Sequence, residues 1–407
     1  MTHPDTNPLR SFREPNVRIF FSGLAASGIG MWAETTAVVL LVRELGGQGL
    51  ELGIVTACQF LPLMLLGLYA GAVADRSDRR RLIIIVQGLM GIEAVLLGLV
   101  DLADLETLPI VYFLSLVSGT LNAFSNPARR TLSTELVPDI HLANVVSLGT
   151  SVITGSRIVG PAVAALMAAR FGTGLVFVAA AVSHVAFLIA ITRMDTGRFH
   201  PLKPAPPSRT PIRDGLREVW GKRSLRVVLV VFGVVSTVAL NFQVGFPLLV
   251  ADRLMEDEVV FGWLLSAMSV GNVMGALVTA RLTSVSVSWP FGTAAAVAVT
   301  LGAVALAPST FMAFVFAVPL GMSTAALVTS STLVIQQRTD PRMRSRVLAL
   351  TTVLFLGSKP LGGPITGLVG DAAGALWANL YGALIAAAVV AAAVMYSRTV
   401  RSRDLKC

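Results

Sequence analysis

The chain has 407 residues, 54% of them hydrophobic and 14% charged, with a mean hydropathy of +0.75 and a formal net charge of +9. Soluble domains carry about 25% charged residues, so an ordinary water-soluble globule is excluded. Two cysteines, Cys58 and Cys407, exclude a disulfide framework.

The polar tail Met1–Ser11 leads into an apolar run without a small-residue cleavage site, so that run is expected to persist as the first membrane span. Twelve apolar runs follow one another, at 17–42, 51–72, 82–101, 108–127, 142–168, 173–192, 225–250, 260–280, 287–307, 310–333, 346–369 and 375–397. Each approaches the roughly 20 residues a spanning helix needs. Only helices and closed barrels satisfy their backbone in lipid. Barrel strands would alternate over about 10 residues, so the runs predict an all-α membrane protein.

The charges lie between the runs. With the N-terminus inside, 27 of the 32 Lys and Arg residues fall on the inner side and three, Arg43, Arg170 and Arg253, on the outer side. Arg157 and Lys359 fall within spans. This asymmetry places both termini in the cytoplasm. It also argues against nucleic acid as a partner, because the basic residues sit in short loops rather than on one face. The densest knot is "GAVADRSDRRR", Gly71–Arg81, between the second and third spans.

One inner segment is long. Residues 193–224 are proline-rich at Pro201–Pro211 and then basic, and they divide the chain into an N-terminal six-helix bundle, 1–192, and a C-terminal bundle with a short basic tail, 225–407. The basic part of this linker suits the anionic inner leaflet. The halves repeat: "GSRIVGPAVAALMAARFG" from Gly155 aligns with "GSKPLGGPITGLVGDAAG" from Gly357 at an offset of 202. Gly155, Ser156, Arg157, Gly160 and Gly172 meet Gly357, Ser358, Lys359, Gly362 and Gly374. A weaker match aligns Gly53 with Gly262. A parallel repeat of six spans is a transporter architecture, with its site between the halves near the midplane.

The knot Gly71, Asp75, Arg76, Arg79, Arg80 and Arg81 resembles the loop signature of the major facilitator superfamily, with Asp78 where a glycine is more usual. "NPARRTLSTELVP" (Asn126–Pro138), "NFQVGFPLLV" (Asn241–Val250) and "QQRTDPRMRSRVLAL" (Gln336–Leu350) resemble its drug- and siderophore-efflux branch. The resemblance covers nearly the whole chain. It implies the major facilitator fold and an inner gate built by Gly71, Asp75, Arg76, Arg79 and Arg80, with Asp75 pairing with Arg79 and with the second half, and Gly71 allowing helices to close up. Arginines there also anchor topology whatever else they do.

Ionisable groups inside spans are expensive and mark function by default. Glu34 is the leading candidate for a proton-binding or cation-recognising acid, and by the resemblance its helix lines the central cavity. The alternative is a static bridge to Arg157. Arg157 and Lys359, at equivalent positions of the repeat, either attract an anionic ligand and tune the acid or brace packing. Glu93 is expected to brace neighbouring helices, and His184 to be a packed, satisfied histidine. Asn241 and Gln243, with Trp32, Phe242 and Phe246, make a polar-aromatic mix that suits an amphipathic ligand, although ordinary packing explains each residue alone.

The fifth span's Gly155, Gly160 and Pro161 resemble the antiporter signature of exporters, in which small residues bring helices five and eight together. Many proton antiporters carry an arginine in the fourth span where this chain has Ser115. The expected function is therefore proton-coupled efflux by alternating access, with an importer or lipid or metabolite flippase as the alternative on the same fold. A membrane-embedded enzyme lacks support, since there is no His-Glu-x-x-His and only four histidines. No phosphate-binding loop surrounds Gly221-Lys222. Neither a cofactor nor a metal is expected. The expected partners are protons, lipid and a small molecule; the expected state is a monomer in a bacterial inner membrane.

Overall fold

The computed structural model describes residues 14–200, 217–257, 259–279, 285–340, 343, 347, 351, 354, 355 and 357–404. The proline-rich part of the expected linker, Arg281, and much of the stretch 341–353 lie outside them. All described elements are helical. Among the described residues, ten helices are long and apolar enough to cross a membrane.

The chain divides into two compact units, the first holding residues 1–41 and 65–206, the second 42–64 and 207–407. The first contains most of α1 (Pro15–Glu44), the C-terminal part of α2 (Gly49–Arg76), α3 (Arg79–Leu102), α4 (Leu108–Thr134), α5 (Leu142–Phe171) and α6 (Thr173–Thr192). Local signals set these ends. Asp78 caps α3 by accepting from the Arg81 backbone N–H at 3.1 Å. Pro109 opens α4, where its missing N–H costs nothing. Within the unit α3 packs on α4 and α6, and α5 on α4 and α6. Phe20 and Phe21 of α1 meet each other edge-to-face, and Phe20 meets Phe187 of α6 likewise, at the centre of an apolar cluster.

The second unit contains α7 (Arg223–Ala239), α8 (Phe242–Leu248), α9 (Val260–Thr279), α10 (Trp289–Ala305), α11 (Thr310–Arg338), α12 (Lys359–Ala373) and α13 (Ala375–Asp404), together with residues 42–64 from the ends of α1 and α2. Small residues carry its closest contacts. A Cβ on Gly271 or Gly275 of α9 would collide with the backbone of Val318 or Met322 on α11, and one on Gly321 with Met268. In the same unit, a Cβ on Gly49 of α2 would collide with the carbonyl of Gly367 on α12, and one on Gly53 with Pro364. Asp371 then accepts from the Gly49 and Leu50 backbone N–H groups, at 2.7 and 2.8 Å, through its two oxygens. A carboxylate at a helix N-terminus satisfies free donors and complements the dipole. Arg43 pairs with Asp252 at 2.7 Å in this unit.

The run expected at 225–250 is interrupted. Helix α7 stops at Ala239, α8 starts at Phe242, and a π-turn follows over Leu249–Arg253. The side-chain amide of Asn241 donates to the Thr237 carbonyl at 2.6 Å, taking over a bond at the end of α7. The internal repeat has a local counterpart: Gly172 between α5 and α6 has φ of +80°, and Gly374 between α12 and α13 has φ of +92°. Both hold a left-handed conformation that favours glycine.

Candidate functional site

The polar interior of the first unit is a row of side chains from four helices. Glu34 of α1 is 4% exposed. Ser118 of α4 donates to its Oε1 at 3.0 Å, and Nε2 of His184 on α6 stands 3.5 Å from its Oε2. His184 is fully buried. Its other nitrogen, Nδ1, lies 3.1 Å from Oε1 of Gln87 on α3 and 3.3 Å from Oγ of Ser27 on α1. Gln87 in turn reaches Ser125 of α4 at 3.5 Å. Arg129, also on α4, donates to Ser27 at 2.9 Å and lies 5.0 Å from the Phe187 ring centroid. Glu93 of α3, 2% exposed, comes within hydrogen-bonding reach of Glu34 and Ser118.

Buried polar groups are retained where they are satisfied by one another, and inside lipid they mark ion or substrate pathways. This row joins two carboxyls, an imidazole, an amide, hydroxyls and a guanidinium without leaving the first unit. It supplies the elements of a proton store with a cation at one end.

Several expectations are revised by this geometry. Glu34 makes no ion pair with Arg157. Arg157 lies over the Trp32 ring instead, 4.6 Å from the centroid, a cation–π contact. Glu93, expected to brace neighbouring helices, lies with Glu34 and Ser118 within hydrogen-bonding reach. His184 is packed and hydrogen-bonded as expected, but against the acid rather than in an inert core. Arg129, read from sequence as a loop arginine at the end of an apolar run, lies inside α4 and is 7% exposed. It places an arginine on the fourth span, whereas Ser115 is buried with an unpartnered hydroxyl.

The charge knot is also arranged differently. Asp75 is exposed and makes no ion pair with Arg79. Arg79 pairs with Glu135, just past α4. Arg80 donates to the carbonyls of Ile191 and Thr192 at the end of α6, at 3.1 and 2.7 Å. Arg76 is exposed at the end of α2. The close approach expected at Gly71 is not present, since a Cβ there would meet nothing within 4 Å. The same holds for Gly155, whereas a Cβ on Gly160 would collide with Trp32 and crowd the Ile29 carbonyl. The small residues of α5 therefore serve its packing on α1. Pro161 lies inside α5.

In the second unit, Lys359 opens α12 and its Nζ donates to the Leu240 carbonyl at the helix break, at 3.4 Å. The same Nζ stands 5.2 Å from the Phe60 ring centroid. Asn241 and Gln243, each 6% exposed, lie at the break and in the first turn of α8, and Asn241 Oδ1 and Gln243 Oε1 are buried with no hydrogen-bond partner among the described residues. Tyr381 of α13 bonds Thr366 of α12 at 2.6 Å. Gly362 packs so tightly on the Thr237 carbonyl that a Cβ would not fit. A broken helix, a cation and two orphaned amide oxygens form a second candidate cluster suited to binding polar parts of a ligand.

Residues 6–406 match the family model described as transmembrane secretion effector. The chain is 28% identical over 383 residues to the multidrug efflux pump Tap of Mycobacterium tuberculosis, covering 89% of both chains. It is 27% identical over 196 residues to the staphyloferrin A transporter of Staphylococcus aureus, covering 46% of this chain and 49% of that protein. Its fold matches a solved bacterial homologue of the human lysosomal transporter Spinster with a TM-score of 0.72 at 16% identity, covering 96% of this chain and 98% of the other.

Proposed function

The chain belongs to the transmembrane secretion effector family of the major facilitator superfamily, a family of transporters rather than enzymes, and from that premise we propose that it exports small amphipathic molecules against a proton gradient. The multidrug efflux pump Tap among its relatives supports export, and the staphyloferrin A transporter supports a small-molecule ligand.

The proposed architecture is twelve spans in two six-helix halves, 1–192 and 225–407, joined by the linker 193–224, with both termini in the cytoplasm of a bacterial cell and the protein acting as a monomer in the inner membrane. One half rocks against the other and opens a midplane site to each side in turn.

The observation that carries the reading is the buried row from Glu34 through His184 and Gln87 to Arg129. An acid held away from water, hydrogen-bonded to Ser118 and facing an imidazole, can take a proton from one side and give it up to the other. Lys359, Asn241 and Gln243 serve the ligand at the broken helix, and Arg157 packs on Trp32. Gly160 and Pro161 shape α5 against α1. Gly71, Asp75, Arg76, Arg79 and Arg80 act at the inner ends of α2 and α3 as gate and anchor. The membrane potential supplies about 2.3 kcal/mol per charge per 100 mV.

Everted vesicles test the reading. They are expected to accumulate ethidium on energisation and to release it when a protonophore collapses the gradient. Accumulation that survives the protonophore contradicts proton coupling.

A further inference from the structure

We propose that Glu93 of α3 and Glu34 of α1 hold one proton between them, so that the coupling acid is a carboxyl pair and not Glu34 alone; this rests on the proton-coupled reading above. Both carboxyls are almost fully buried. Both oxygens of Glu93 are sealed from solvent and receive no hydrogen bond. The groups within hydrogen-bonding reach of it are Glu34 and Ser118, and the single hydroxyl proton of Ser118 is already given to Oε1 of Glu34. Among the described residues no donor is left for Glu93 unless a carboxyl carries a proton.

The cost of the alternative decides the matter. Two ionised carboxylates side by side in a low-dielectric interior repel each other, and cannot readily both be charged. An acceptor left buried and unpaired costs about 1–3 kcal/mol, more when it is charged. One proton removes both penalties at once. It forms an O–H bond on one carboxyl, which then donates to the other, and hydrogen bonds to an ionised oxygen are among the strong ones.

The other charged and titratable groups around the pair fit this count. His184 of α6 faces Oε2 of Glu34 at 3.5 Å, so Glu34 has a partner on its far side while Glu93 has none. Arg129 of α4 is one hydroxyl further away, on Ser27. Arg157 of α5 is turned onto the Trp32 ring. No cation therefore neutralises Glu93 directly. During transport the shared proton enters from water on one side, breaks its O–H bond and leaves to water on the other, with no change of oxidation state.

Infrared spectroscopy of the purified protein in detergent tests the pair without any substrate. At neutral pH the wild type is expected to show the carbonyl stretch of one protonated carboxyl, sensitive to deuteration. Glu93→Gln is expected to abolish it, because the new amide donates to Glu34 in place of the shared proton while Ser118 and His184 keep their contacts. Absence of the band from the wild type at neutral pH, or its persistence in Glu93→Gln, overturns the proposal. The wild-type spectrum decides alone if the variant does not fold. Ethidium export driven by a pH gradient, in a protein without the band, sinks the pair and leaves proton-coupled export standing. A band lost in Glu93→Gln, in a protein that moves no ethidium with the gradient, supports the pair and sinks the export reading.

Discussion

The ammonium of Lys359 reaches the carbonyl of Leu240 across 3.4 Å, at the point where the seventh membrane run stops being helical. A hydrogen bond to a charged group contributes about 1.5–3 kcal/mol, so this contact ties α12 to the break between α7 and α8. Lys359→Met is expected to lower ethidium efflux at least tenfold while the protein still reaches the membrane, with Lys359→Arg retaining part of it. Unchanged efflux by Lys359→Met would assign the lysine to packing alone. Efflux rates in cells, normalised to membrane protein, read the difference.

Glu34→Gln keeps the shape of the side chain and its contact with Ser118 but removes the ionisable oxygen. Efflux driven by a pH gradient is expected to be lost, while exchange of ethidium down its own gradient persists. The wild type should run faster as the proton-supplying side is acidified, and the variant should lose that dependence. A variant with wild-type pH dependence would remove Glu34 from coupling. His184→Asn is expected to slow the coupled mode about a hundredfold, the lower end of what one positioned proton-transfer group contributes.

Glycines of α5 and α2 should respond according to the space around them. Gly160→Ala forces a methyl into Trp32, whereas Gly155→Ala and Gly71→Ala enter open space. Overpacking costs about 1–3 kcal/mol. The Gly160 variant should therefore unfold several degrees earlier in detergent, and the other two should melt with the wild type or slightly above it, since alanine favours a helix by up to about 1 kcal/mol over glycine.

Arg79 and Glu135 pair where both are largely shielded from water. Loss of one partner leaves a shielded charge alone. Arg79→Glu is expected to reduce stability and transport, and Arg79→Glu with Glu135→Arg to recover a measurable part of both. Asp75→Asn, at an exposed acid, should leave thermal stability unchanged. A melting series over the four proteins checks this.

Much of the helical frame was legible from residues alone, because lipid demands long apolar runs and tolerates charge only between them. The ends of α6, at Thr173 and Thr192, coincide with the expected ones. Gly172 and Gly374, paired in the repeat, both take a positive φ, which their alignment alone did not specify. The break at Leu240–Asn241 was hidden, since "NFQVGFPLLV", despite Asn241 and Gln243, stays apolar enough to read as a continuation of "VVLVVFGVVSTVAL". Arg129 was hidden for the opposite reason: it follows Pro127 and precedes Arg130, which reads as a loop, yet α4 continues through Pro127. The candidate site depended on partners far apart in sequence. His184 meets Glu34 across 150 residues and Gln87 across 97, and no periodicity within one helix encodes which neighbour it will face. The pair expected at the gate was not legible in single side chains: the spacing of Asp75 and Arg79 permits it, but Glu135, from beyond α4, takes the arginine.

The most direct test follows protons and ligand together in proteoliposomes with a trapped pH indicator. Adding ethidium to one side at zero membrane potential is expected to drive protons the opposite way, with wild-type protein and not with Glu34→Gln. Ethidium movement with no accompanying proton flux in the wild type would contradict the account.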